Sequence, residues 1–186
     1  MIWRNTSERY GAVAKGFHWV IALLVVVMLC VGLYMSGLDP SPQMFQLYAV
    51  HKSVGITVLL LVLLRLLWRL TNGVPIPLPN HKIWEKSLAR VIHGLLYTAL
   101  LVMPLSGWIM SSAKGFSVSV FNSFTLPDMV RPDDGLAELA ETIHELTAYT
   151  LIGMIALHFA GAMKHHLIDR DDTLRRMLPA LGRKRR

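Results

Sequence analysis

FHWVIALLVVVMLCVGLYMS, residues Phe17 to Ser36, runs for twenty residues without a formal charge. A helix of that length rises ~30 Å, the thickness of a bilayer's hydrocarbon core. Outward along the chain the same signal returns three times. VIHGLLYTALLVMPLSGWIM (Val91 to Met110) is again uncharged over twenty residues, and LTAYTLIGMIALHFAGAM (Leu146 to Met163) over eighteen. SVGITVLLLVLLRLLW (Ser53 to Trp68) is interrupted only by Arg65 near one end, where a long side chain reaches the interface. With 53% hydrophobic residues in 186, the chain reads as an all-α membrane protein, a four-transmembrane-helix bundle. Barrel strands are excluded, because they alternate rather than run continuously apolar.

The first span is expected to be retained, since its apolar region exceeds the ~7–15 residues of a secretion signal and no small-x-small cleavage site follows. All but three of the 19 Lys and Arg fall in the N-terminal segment, the second connection with its flanks, and the tail from Lys164. The positive-inside rule therefore predicts that both termini are cytoplasmic. The exceptions, Lys52, Lys114 and Arg131, share the outer side with seven acidic residues. The ending RRMLPALGRKRR is accordingly read as a device for topology and for anionic headgroups of the lipid bilayer, with no nucleic acid partner.

The inner loop TNGVPIPLPNHK (Thr71 to Lys82) is Pro-rich and stiff, whereas the outer connection from Ser111 to Glu141 is long and mixed. Its segment GFSVSVFNSFTLP alternates polar and apolar residues and is expected to lie on the membrane surface or cap the bundle. There is no Gly-rich phosphate loop. Cys30, the single cysteine, cannot form an internal disulfide and is expected to be a small core hydrophobe. Trp19, Trp68, Trp84 and Trp108 are expected in the interfacial belt.

Eight histidines remain to be placed. His51 and His144 open the second and fourth spans on the outer side and are the only two there. His18, His93 and His158 lie at the inner level, and His81, His165 and His166 read as polar anchors at the inner surface. His144 and His158 are fourteen residues apart. That separation advances a helix by about 3.9 turns and ~21 Å and leaves both side chains within roughly 40° of one face. His144 can pair with His51, and His158 with His18, giving two bis-histidine sites stacked across the bilayer. His93 also lies at the inner level and could take the place of His18.

Two histidines per level suit zinc poorly, because it prefers four ligands from Cys, His and carboxylate. Haem brings four equatorial nitrogens and asks the protein for two. Two non-covalent haem b groups held between helices are therefore expected, C-x-x-C-H being absent. Gly32, Gly55, Gly94, Gly107, Gly153 and Gly161 could give such planes room or serve close helix packing. Arg65 lies fourteen residues after His51, which puts it at the inner level beside a propionate, with Arg69 as a second candidate.

FHW opening the first span, HKSVG opening the second, HE opening the fourth, and the ending KHHLIDRDDTLRRMLP together resemble the bacterial cytochrome b561 family over nearly the whole chain, least in Ser111 to Glu141. The resemblance implies one transmembrane domain over 1–186 in the bacterial inner membrane, with helices over about 17–36, 50–70, 91–110 and 143–164 and a basic tail over 165–186. It implies His51 and His144 as ligands of the outer haem iron and His18 and His158 as ligands of the inner one. His93 competes with His18 as an axial ligand, or contacts a haem propionate or quinone.

With both axial positions filled, single-electron transfer is expected rather than oxygen activation. The resemblance further implies exchange between periplasmic superoxide and the ubiquinone/ubiquinol pool, as in a superoxide oxidase. Lys52, beside His51, is the candidate for attracting the anion, weighed against an interfacial snorkel. Two other readings remain. One is a membrane-anchor cytochrome b subunit passing electrons between quinone and a periplasmic redox protein; the other is a scaffold or metal carrier without redox function.

Overall fold

The computed structural model describes residues 2–79 and 81–179. Four long helices dominate: α1 (Ala12–Met35), α2 (Pro42–Asn72), α3 (Ile83–Ala113) and α4 (Asp134–Met163). All four are long and apolar enough to cross a membrane. Between α3 and α4 lies a small antiparallel hairpin of β1 (Ser119–Val120) and β2 (Phe124–Thr125). After α4 come one widened π-helical turn, Lys164–Ile168, and the short α5 (Thr173–Met177). Arg183, Lys184, Arg185 and Arg186 of the basic tail lie outside the described residues.

The last three long helices begin well before the apolar runs inside them, and local chemistry explains where. Pro42 occupies the first turn of α2, where its missing N–H costs nothing, and the Ser41 hydroxyl accepts the Met44 N–H at 3.2 Å. The Asp133 carboxylate likewise accepts from Leu136 N at 2.8 Å at the head of α4. At the head of α3 the Glu85 carboxylate reaches back to Lys82 N at 2.9 Å, half of a capping box. Pro104 sits inside α3, which continues through it to Ala113.

α1 packs mainly on α2 and α3 on α4, with α2 also against α3. Ile21, Val25 and Leu29 of α1, Val58 and Val62 of α2, Ala99 of α3 and Leu151 of α4 form the central cluster. The outward faces stay apolar, with Leu23, Leu60 and Leu157 more than half exposed. Such a surface would aggregate in water and is matched to lipid. Cys30 belongs to that outer face, not to the core as its small apolar character suggested; the central cluster takes Ile21, Val25 and Leu29 from α1 and leaves position 30 outside. The indole nitrogens of Trp68 and Trp108 are buried and have no hydrogen-bond partner among the described residues.

The N-terminal segment and α5 meet at one end of the bundle. Trp19 Nε1 donates to the Met177 carbonyl at 2.9 Å and Lys15 Nζ to that of Leu178 at 2.9 Å. Asn5 donates to Gly73 O at 2.9 Å and Arg176 to Ile76 O at 2.8 Å. The N-terminal segment, the α2–α3 connection and α5 thus form one terminal end. At the distal end the hairpin caps the bundle. Buried Ser53 accepts from Phe121 N at 3.0 Å and lies 3.1 Å from Ser119 O, while Val118 and Val120 turn inward.

Candidate functional site

Five histidines point into the bundle at two levels along α4. At the distal level His51 of α2 faces His144 of α4, with ring centroids 6.4 Å apart and planes inclined at 67°. At the terminal level His18 of α1 faces His158 of α4 at 6.2 Å and 72°. Each pair links the first helix hairpin to the fourth helix. Because α4 is unbroken from Asp134 to Met163, the two levels stand apart by the helical rise alone, ~21 Å.

The separations carry chemical meaning. A first-row metal bonded at ~2.0–2.1 Å to one nitrogen of each of two opposed imidazoles sets their centroids about 6.3 Å apart. Both pairs match that span. His93 of α3 also faces His158, but at 5.2 Å, which is too short for an ion in line between them.

The supporting contacts differ between levels. His144 Nδ1 lies 2.9 Å from the Met103 carbonyl and 3.1 Å from Ser106 Oγ. A carbonyl can only accept, so Nδ1 carries the proton and Nε2 keeps its lone pair. Close approach is allowed by missing side chains: a Cβ at Gly107 would come within 3.1 Å of His144 Cε1, and one at Gly32 within 3.5 Å of His51 Cε1. At the terminal level an Arg65 guanidinium nitrogen sits 3.3 Å from His18 Nδ1. Arg65 and Arg69 both lie over the Tyr97 ring, at 5.4 and 5.8 Å. These three residues line a cleft with Asn5, Tyr10 and Trp68. Burial pushes the Tyr10 phenol above its ordinary value against the pull of Arg69, so it stays neutral.

Three buried ring nitrogens have no hydrogen-bond partner among the described residues: His51 Nδ1, Trp68 Nε1 and Trp108 Nε1. Unpaired buried polar atoms of this kind are costly, and those of His51, at the distal level, and Trp68, which lines the cleft of Arg65, fit a polar group or metal brought by a cofactor.

Lys52, next to His51, hydrogen-bonds Ser111 Oγ at 3.2 Å and forms no ion pair among the described residues. Lys114 instead pairs with Glu141 at 2.6 Å. Ser106, Met103 and Tyr97 were not legible as site residues, because a single polar or aromatic residue in an apolar span carries no signal of its direction. His81 and His165, read as separate anchors, stack at 4.4 Å on the terminal end.

A model of the prokaryotic cytochrome b561 family matches residues 9–180. The chain is 36% identical over 179 residues to cytochrome b561 homolog 2 of Escherichia coli (strain K12), covering 96% of this chain and 95% of that protein. It is 32% identical over 174 residues to cytochrome b561 homolog 1 of the same organism, covering 92% and 98%. To the probable superoxide oxidase CybB of Yersinia pestis it is 28% identical over 172 residues, covering 92% and 97%.

Proposed function

From the premise that the chain belongs to the prokaryotic cytochrome b561 family, multi-pass bacterial membrane proteins that transfer electrons and bind b-type haem, we propose that it carries two haems and links superoxide on the periplasmic side to ubiquinone. The observation that carries the two-haem reading is the pair of metal-spanning histidine separations, 6.4 and 6.2 Å. His51 with His144 would hold one group and His18 with His158 the other. Bound there, haem would supply one-electron redox chemistry.

The chain's own residues do the rest. The Met103 carbonyl and Ser106 fix the His144 ring and make it the more basic ligand. Arg65, Arg69 and the orphan Trp68 N–H supply cationic and neutral donors to carboxylates at the terminal level. His93 is a positioning residue beside His158 or a quinone contact, its 5.2 Å approach arguing against ligation. Lys52 offers a cation at the distal mouth to a small anion. Two superoxide anions each give up one electron and leave as O2, and one ubiquinone takes both electrons with two protons to become ubiquinol. The concentration of Lys and Arg at the terminal end supports a cytoplasmic placement for it.

A second reading rests on one further observation. Acidic residues Asp39, Asp128, Asp133, Asp134, Glu138, Glu141 and Glu145 outnumber Lys52, Lys114 and Arg131 on the distal side. That balance suits a basic periplasmic redox protein as donor, with the chain serving as a membrane anchor subunit.

One set of measurements tests both levels of the proposal. The haem-to-protein ratio should fall by about half in each of His51→Ala, His144→Ala, His18→Ala and His158→Ala, and stay whole in His93→Ala. Purified oxidised protein mixed with a superoxide source should then show the reduced haem band, and added ubiquinone should discharge it. Reduction only when a protein fraction is supplied would move the assignment to the anchor subunit, and retention of both haems by the ligand variants would refute the two-haem arrangement.

A further inference from the structure

Away from both histidine levels, three separate segments converge on the terminal face. His81 comes from the α2–α3 connection, His165 from the π-helical turn after α4, and Asp171 from the link to α5. One ligating atom from each lies within 4.8 Å of the others. Asp171 Oδ2 is 2.9 Å from His81 Nε2 and 3.1 Å from His165 Nδ1.

We propose that His81, His165 and Asp171 form a binding site for a divalent transition-metal ion of the zinc class, which clasps the α2–α3 connection to the segment carrying α5.

The donor set selects the class of ion. Two imidazoles and one carboxylate suit zinc, whereas calcium and magnesium take oxygen ligands almost alone. Bonds of ~2.0–2.1 Å in a tetrahedral site set ligand atoms roughly 3.3 Å apart, so the two carboxylate–imidazole separations of 2.9 and 3.1 Å need to open by only a few tenths of an ångström. Each imidazole can shift its proton to the other ring nitrogen and free the required lone pair without changing its charge. The fourth position falls to water or to Asp169, whose Oδ2 lies 2.8 Å from His165 Nδ1.

The surroundings are organised as a ligand's supporting contacts usually are. The Thr173 N–H donates to Asp171 Oδ1 at 2.8 Å, turning Oδ2 toward the histidines, and Thr173 Oγ1 is 3.2 Å from His81 Nε2. The ammonium of Lys164, the residue before His165, is engaged by Glu85 and Asp169, which offsets its repulsion of an incoming cation. The three ligating side chains keep between 14% and 17% of their surface exposed, enough for an ion to enter from water. An ion here would also fix α5, whose Met177 borders the cleft of Arg65 and Tyr97.

The test uses untagged full-length protein purified in detergent, stripped with EDTA and titrated with zinc chloride by calorimetry. One zinc per chain should bind, and His81→Ala, His165→Ala and Asp171→Asn should each weaken it by roughly tenfold or more, while His166→Ala binds as the parent does. Zinc should also protect the 165–177 segment of the parent from proteolysis, a readout that needs no variant to fold. The haem band should be the same throughout. Absence of saturable binding, parental affinity in the three variants, or loss of binding in His166→Ala would overturn the site.

Discussion

The Nδ1 of His144 donates its proton to the Met103 carbonyl at 2.9 Å, across the α3–α4 interface. That single bond chooses the tautomer, aims Nε2 into the bundle and ties the fourth helix to the third. Ser106 stands second to it, since its hydroxyl bonds Met103 O at 2.9 Å and lies 3.1 Å from the same ring nitrogen. In Ser106→Ala the ring keeps its tautomer but loses part of its electron donation. The reduction potential of one haem should rise while the other is unchanged, as read by a redox titration of the absorption band.

Gly107 gives the ring its room. Adding a Cβ there brings it within 3.1 and 3.3 Å of His144 Cε1 and Nδ1, whereas at Gly153 nothing lies within 4 Å. Gly107→Val should therefore lower haem content at one site, and Gly153→Ala should leave both filled. The haem-to-protein ratio after purification decides it, and equal loss in the two variants would show that general helix packing is responsible.

Lys52 separates steering from packing. Its ammonium reaches Ser111 but no carboxylate among the described residues, while that of Lys114 is held by Glu141. Lys52→Gln should slow haem reduction by superoxide by up to about tenfold at low ionic strength, with the difference shrinking toward 0.15 M salt. Lys114→Gln should change the rate far less. Stopped-flow mixing at two salt concentrations reads the outcome.

Ser53 anchors the hairpin over the distal level. It is 2% exposed and its oxygen accepts the Phe121 N–H at 3.0 Å. Ser53→Ala leaves that N–H without its partner, at a cost of about 1–3 kcal/mol. Amide exchange over residues 118–126 should accelerate correspondingly, with helical content unaltered.

Much of the candidate site could be located on the sequence because membrane geometry is restrictive. The spacing of His144 and His158 on one helix, and the position of His51 and His18 at the ends of two other apolar runs, assign each histidine a height with no knowledge of packing. Arg65 was placed at the inner level by the same arithmetic and lies beside His18. Directions around a helix axis were harder to read. Cys30 faces outward, Trp68 and Trp108 turn their nitrogens in, and Ser106 meets His144, because each depends on which neighbouring helix occupies which side.

The four apolar helices, the uneven distribution of charge between the two ends and the two histidine levels are all legible along the chain. Those follow from the length of a span and the rise of a helix, both local properties. Packing is what brings both His18 and His93 within reach of His158 at different separations, sets Met103 against His144, and makes His81, His165 and Asp171 meet. The last three lie 84 to 90 residues apart along the chain between His81 and its partners. No local pattern encodes such a meeting, since it arises when the bundle closes and brings the α2–α3 connection against the segment after α4.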